Sequence, residues 1–261
     1  MSHVIRLCLL LSIVIPVIHL PADALADEAD DSPSARQIVA RVDSVARAES
    51  SEGIILQTIT TTGGEEREFR IRVFTKDGND KMLFRYLEPA RVEGVSFLML
   101  DDGKDIWSYF PSTDRVRHLA SHVKRQKMMG SDFSYEDMGS SSSFAADYDA
   151  TLAGTEDCEG NVCYHLTLTP YDSDCAYSRV EIWADTSLYV PLRVDYYDDD
   201  GELLKRLLVA DIRIIDAHPT PMHYVMTNLQ DDSRTTMRIV EIEYDIDLPD
   251  AQFTTSELKK R

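Results

Sequence analysis

The chain has 261 residues, enough for one large domain or two small ones, and carries 46 acidic against 27 basic side chains for a net charge of −19. So acidic a surface argues against direct binding of nucleic acid or of an anionic bilayer. It fits a soluble protein in a crowded compartment, with recognition of a basic partner as the other use of such charge.

At the N-terminus Arg6 precedes the apolar run Leu7 to Ile18, and Ala24-Leu25-Ala26 supplies a small-x-small cleavage site before Asp27. This is the pattern of a secretory signal peptide over residues 1–26, too short and wrongly flanked for a membrane span. Cys8 lies inside the run, too early for a lipoprotein cleavage box, so N-terminal lipidation is not expected. Removing the segment leaves the net charge unchanged, because Arg6 and Asp23 cancel. An acidic, disordered leader is expected at 27–33, followed by a single domain over 34–261.

From Ser34 to Ser50 the apolar residues Ile38, Val39, Val42, Val45 and Ala46 share one helical face, with Ser34 as N-cap. Strands follow at Ile54–Thr62, Glu66–Thr75, Lys81–Leu87 and Val92–Leu100, separated by Gly63-Gly64 and Asp77-Gly78-Asn79 turns. Asp105 to Phe110 begins a hairpin with Trp107 and Tyr109 on one face and Ile106, Ser108 and Phe110 on the other. Pro111-Ser112-Thr113-Asp114 is its turn, and Arg115–Leu119 returns.

The next segment fits neither period. Lys124, Arg125 and Lys127 precede Met128-Met129-Gly130, and Ser131 or Asp132 can cap a short helix through Phe133-Ser134-Tyr135-Glu136. A serine run, Ser140–Ser143, forms the exit. Strand patterns resume at Asp147–Ala153, Val162–Thr169, Tyr177–Ala184, Val190–Asp198, Leu203–Ile214, His223–Leu229 and Thr235–Ile242, and Pro249–Leu258 closes the chain as a capping segment. About a dozen short strands after one long helix predict a mainly β (α+β) fold, an antiparallel sheet large enough to curl. Several strands are apolar on both faces, as in Phe97 and Met99 against Leu98 and Leu100. Either something covers each side or the inner side encloses a cavity; a filled core under the helix and the middle segment is the plain alternative.

Cys158, Cys163 and Cys175 remain after cleavage, an odd number that implies one disulfide and one spare thiol in an oxidising compartment. Cys158 and Cys163 bracket a Gly-Asn turn and are the expected pair, with Cys163–Cys175 as the alternative. A metal site is not expected, since His165 is the only nearby imidazole. The scattered histidines build no nucleophile elbow, glycine-rich phosphate loops are absent, and Asp101-Asp102-Gly103-Lys104 and Asp198-Asp199-Asp200-Gly201 read as turns. No enzyme and no cofactor is expected. The basic trio Lys124, Arg125 and Lys127 is either a solvated loop or a docking point for an acidic partner or lipid headgroup.

Together these residues resemble the outer-membrane lipoprotein-sorting proteins, relatives of the periplasmic lipoprotein carrier LolA. The matches are Trp107-Ser108-Tyr109-Phe110-Pro111, the stretch Met129-Gly130-Ser131-Asp132-Phe133-Ser134-Tyr135-Glu136-Asp137, and Cys163-Tyr164-His165-Leu166, with Tyr177, Trp183 and Gly201-Glu202-Leu203-Leu204-Lys205 further on. The resemblance implies a strongly curved antiparallel sheet forming an incomplete barrel (LolA/LolB-like), with helices over an apolar cavity. It also implies a periplasmic carrier of lipid or lipoprotein acyl chains between the inner and outer membranes, working with an RND-type inner-membrane permease or an outer-membrane acceptor. Strand parity assigns Phe69, Ile71, Phe84, Phe97, Met99, Trp107 and Tyr109 to the cavity wall. The candidate lid is the segment Met128–Met138, with Met128, Met129, Phe133 and Tyr135 as its apolar side chains, hinged near Gly130 and Gly139. The alternative is a non-enzymatic envelope module that binds a transporter or another protein.

Overall fold

The first and last strands of the chain meet in the middle of one sheet, while two strands adjacent in sequence form its opposite edges. The computed structural model describes residues 32–139, 144–172 and 175–260. The expected signal peptide, the leader up to residue 31 and the serine run at 140–143 lie outside the described residues. In the first half run β1 (Ser50–Thr60), β2 (Glu66–Lys76), β3 (Lys81–Glu88), β4 (Ser96–Leu100), β5 (Asp105–Phe110) and β6 (Arg115–His118). In the second run β7 (Tyr148–Cys158), β8 (Asn161–Pro170), β9 (Arg179–Asp185), β10 (Pro191–Tyr197), β11 (Leu203–Ile215), β12 (His218–Asn228) and β13 (Ser233–Tyr244). The order is β6-β5-β4-β3-β2-β1-β13-β12-β11-β10-β9-β8-β7, every neighbour antiparallel, in a curved sheet that does not close.

This order dictates where the middle of the chain goes. Each strand pairs with the next in sequence except β6 and β7, which lie at opposite edges. The connection between them must therefore cross a face of the sheet. Among the described residues it carries the short helices α2 (Ser121–Lys124), α3 (Tyr135–Gly139) and α4 (Phe144–Asp147), besides a 3-10 turn at Met128–Gly130. The face it crosses is the inner face of the sheet.

The N-terminal helix α1 (Ala35–Val45) covers the other part of the inner face. Ser34 and Gln37 form a reciprocal capping box, and Ile38, Val39 and Val42 are buried in the cluster over β8–β10. The helix stops at Val45, and β1 starts at Ser50 rather than at Ile54. The β2–β3 turn causes this: Asn79 Nδ2 donates to Ala46 O at 2.8 Å and Asp77 N–H to Glu49 O at 2.8 Å, taking the carbonyls that another helical turn would need.

Two other elements differ in extent. Residues 92–95, read as strand, form a turn in which Gly94 is left-handed (φ 80) and donates its N–H to Tyr86 O. β12 starts at His218, before Pro219 and Pro221. β13 pairs with it only from His223 onward, so the prolines sit where the strand has a partner on one side only.

The doubly apolar strands are covered twice. On the inner face Phe69, Ile71, Phe84, Tyr86, Phe97, Met99 and Ile106 form one core. On the outer face Phe74, Leu83, Leu98 and Tyr109 pack under Leu248, Phe253 and Leu258 of the C-terminal segment. Arg85 Nη2 and Ser96 Oγ fix that segment by donating to Glu257 O and Leu258 O at 3.0 and 2.7 Å.

Candidate functional site

The site is built by the described residues of the crossing segment, 119–139 and 144–147, on the inner face. Its apolar side faces down. Met128, 3% exposed, enters the core of β2–β5, with Met129, Tyr135, Met138 and Leu119 partly buried against it. Phe133 enters the neighbouring core with Met226, Met237 and the α1 residues. Phe97 meets both Phe110 edge-on and Tyr135, at ring separations of 5.9 and 5.4 Å.

Polar groups clamp the segment at two points. At the first, Asp132 is buried; its Oδ1 accepts from Ser233 Oγ at 2.5 Å and pairs with Lys127 Nζ at 3.0 Å, and its Oδ2 accepts from Thr235 Oγ1 at 2.8 Å. Its own N–H donates to Thr235 Oγ1 at 2.8 Å. At the second, Asp137 receives Tyr177 O–H at 2.6 Å and pairs with Lys205 Nζ, both side chains of the pair being about 95% buried. Burial, and then the Asp137 charge, pushes the Tyr177 hydroxyl well above its ordinary value, so it stays a donor. Lys205 Nζ also lies 4.9 and 5.3 Å from the Tyr177 and Tyr196 ring centres. Ser134 starts α3: it donates its N–H to Asp137 Oδ2 and accepts from Asp137 N–H. The expected caps, Ser131 and Asp132, are replaced by Ser134 because the Asp132 carboxylate is committed to β13.

Beside the clamps opens a cleft of about 780 Å³, within the size range of ligand sites. Its aromatic wall is Phe144, Tyr148, Tyr177 and Tyr196, with Lys104, Arg125 and Glu136 among its polar groups. Burial raises the Glu136 carboxyl above its ordinary value, against the pull of Arg125. A smaller hollow of about 250 Å³ lies over Lys127, Asp132 and Lys205.

Of the expected wall residues, Phe69, Ile71, Phe84, Phe97 and Met99 come together under Met128 and Tyr135. Here they form a filled core and not an open hollow, because the segment's own side chains occupy the space. Trp107 and Tyr109 do not join them. They lie on the outer face, Trp107 against the His118 ring at 4.6 Å and Tyr109 donating to Asp114 Oδ1 at 3.2 Å. Cross-strand pairing of Leu98 with Trp107 and of Met99 with Ile106 fixes this, so Ile106 takes the inner position. Each member of the basic trio has a partner within the protein. Lys127 is paired to Asp132 and Asp231, whose bonds outweigh burial and raise its pKa; Arg125 Nη2 donates to Cys175 O at 2.9 Å, and Lys124 to Lys104 O.

Cys158, Cys163 and Cys175 are free thiols. Cys158 pairs across the hairpin with Asn161, and Cys163 with Glu156, so the expected disulfide partners are diagonal neighbours and not opposite each other. Burial pushes the Cys163 thiol up to about 12 and raises Cys158, which keeps both protonated. Among the described residues no cluster of three or more His, Cys, Asp or Glu is placed to hold a metal. No described helix is long and apolar enough to cross a membrane.

The sequence reading missed the clamps. Asp137 and Lys205 stand at the ends of two stretches that carry the family resemblance, without a role assigned to them, and Ser233 and Thr235 are not singled out; a lysine in the otherwise leucine-rich Leu203-Leu204-Lys205-Arg206-Leu207 is a further signal.

A family model carrying the description "-like: Uncharacterized protein" matches residues 78–260. Among curated proteins none matches. Several solved structures are similar, three of them as follows. An outer membrane lipoprotein-sorting protein domain from Vibrio parahaemolyticus is 25% identical with a TM-score of 0.80, over 87% of this chain and 98% of that one. A DUF1329 family protein from Desulfovibrio piger is 29% identical with a TM-score of 0.80, over 86% and 97%. A LolA superfamily protein from Nitrosomonas europaea shares the fold at 23% identity and a TM-score of 0.72, over 87% and 100%. Residues 78–260 place the chain in the family that this model describes, and its fold is that of the LolA superfamily protein.

Proposed function

We propose that the protein is a periplasmic carrier that binds acyl chains of lipids or lipoproteins on the inner face of its sheet. One observation carries this reading: the apolar inner face is filled by a separate segment of the chain, held by polar clamps at Asp132 and Asp137. Segment and acyl chain offer the face the same chemistry, methionine and aromatic side chains in one case and methylenes in the other. Each buried methylene contributes about 0.8 kcal/mol, so a chain of ordinary length competes well with a few side chains. The cleft beside Tyr148 and Tyr177 is the entrance, and Lys104 and Arg125 meet the headgroup there. The similarity to a lipoprotein-sorting domain supports the same reading. Delivery between the two membranes, with an RND-type permease or an outer-membrane acceptor as partner, belongs to it.

The test is native mass spectrometry of protein isolated from cells, with uptake of a fluorescent fatty acid measured in parallel. Bound phospholipid or acylated peptide is the expected result. A clean protein mass together with no uptake would sink the carrier reading.

A further inference from the structure

Five buried side-chain polar atoms lack a hydrogen-bond partner among the described residues: Gln57 Oε1, Arg67 Nε, Arg85 Nε, His165 Nε2 and Arg179 Nε. Three of these side chains face a carboxylate. Arg85 reaches Glu257 through Nη2, and His165 Nε2 and Arg179 Nε lie 3.8 and 3.5 Å from Glu181. Gln57 and Arg67 have no such neighbour among the described residues, and they are not scattered.

Both stand on the inner face, under the crossing segment, in successive rungs of the sheet. Gln57 on β1 lies between Phe69 of β2 and Met237 of β13, and these two neighbours belong to the two inner cores. One rung away, about 7 Å along the strand, Ile59 lies between Arg67 and Thr235, the partner of Asp132. The Arg67 guanidinium lies beside the segment itself: a Cβ on Gly130 would sit 3.4 Å from Arg67 Nη2. Gln57 is 4% exposed and Arg67 only half-buried, so the cation is at the mouth and the amide deeper. Next along β1 on the same face comes Ile55, partly buried and packed against both cores.

A buried carbonyl oxygen without a donor is costly, and native proteins keep few of them. In line with an unpaired guanidinium and an apolar trough, it matches an amphiphile read from one end to the other. We propose that Gln57 and Arg67 are the polar end of the acyl site and select a lipid whose chain is joined through an amide and which carries an anionic group. The amide N–H donates to Gln57 Oε1, the anion pairs with Arg67, and the tail runs past Ile55 where Met128 now lies. This rests on the carrier reading, and narrows it from acyl chains in general to N-acyl compounds.

The experiment titrates the full-length chain calorimetrically with N-palmitoylglycine, with O-palmitoylglycolate, which replaces the amide N–H by oxygen, and with uncharged N-palmitoylethanolamine. Wild type is expected to bind the amide acid about tenfold tighter than the ester, because the ester leaves Gln57 unpaired. Gln57→Leu removes that preference while still binding the ester. Arg67→Gln weakens both acids alike and leaves the ethanolamide unchanged. Equal affinity of wild type for amide and ester, or a preference that survives in Gln57→Leu, overturns the proposal while the carrier reading stands. If wild type binds none of the three, the carrier reading falls and takes this one with it. The wild-type comparison needs no variant, so a Gln57→Leu chain that fails to fold does not shield the idea.

Discussion

Asp132 and Thr235 bond to each other twice, in opposite senses: the Asp132 N–H donates to Thr235 Oγ1 at 2.8 Å, and that hydroxyl donates to Asp132 Oδ2 at 2.8 Å. The hydroxyl serves as acceptor and donor at once, and both atoms of the pair are buried. Thr235→Val keeps the shape and removes both bonds. It leaves a buried N–H and a carboxylate oxygen short of partners, which costs about 2–3 kcal/mol. The loss is expected to be local. Amides of residues 128–138 should exchange with deuterium faster, while those of β2 and β3 keep their protection. Unchanged exchange across 128–138 would mean that Asp132 does not hold the segment.

The second clamp is a buried ion pair, and its two halves are predicted to be unequal to the whole. Lys205→Met leaves Asp137 buried beside Tyr177 with no cation, at a cost of about 3–5 kcal/mol. Combining it with Asp137→Asn removes the stranded charge and should recover part of that loss. Denaturant midpoints of the two single variants and the double variant give the coupling directly. Simple additivity would contradict the pairing.

Much of the sheet was legible because its turns are local. Asp77, Gly78 and Asn79 all have positive φ, the conformation their side chains tolerate, and Ser34 with Gln37 is a complete cap within four residues. The site was less legible because its partners are far apart in sequence. Asp132 reads as a helix cap, but Ser233 and Thr235, which claim it, are 101 and 103 residues away. Parity sorted Trp107 from Ile106 correctly but could not tell which face was inner. The C-terminal segment makes the outer face as apolar as the inner one, so the hydrophobic pattern there carries no sign.

Gly139, at the end of α3, lies back to back with Gly103 in the β4–β5 turn. A Cβ on Gly139 would come within 2.8 Å of Gly103 Cα and 3.2 Å of Met99 Sδ. Gly139→Ala therefore pushes backbone against backbone, an overpacking expected to cost about 1–3 kcal/mol. For a chain of this size the thermal midpoint should fall by roughly 2–4 °C per kcal/mol. Gly63→Ala is the control. Only Thr61 Oγ1, at 3.9 Å, lies near its Cβ position, so a change within about 0.5 kcal/mol is expected. Equal melting of Gly139→Ala and wild type would show that the segment's end is not seated on the turn.

Asp195 on β10 offers a test by pH. Its side chain is 1% exposed and accepts from Arg206 Nε and Nη2 at 2.6 and 2.7 Å, and from Arg193 Nε at 3.1 Å. Burial alone would raise the carboxyl; the bonds from Arg206 and Arg193 outweigh it and hold it below its ordinary value. A depressed carboxylate contributes stability that is complete above the unfolded pKa of about 4 and is lost as pH falls through the folded value. Asp195→Asn should cost about 2 kcal/mol at pH 7, less than for a fully buried pair because both arginines are about a third exposed. Urea midpoints of wild type and variant should keep a constant separation from pH 7 to about 5 and converge below about 4. Divergence on acidification would require a raised carboxyl, and with it a different arrangement around Arg193 and Arg206.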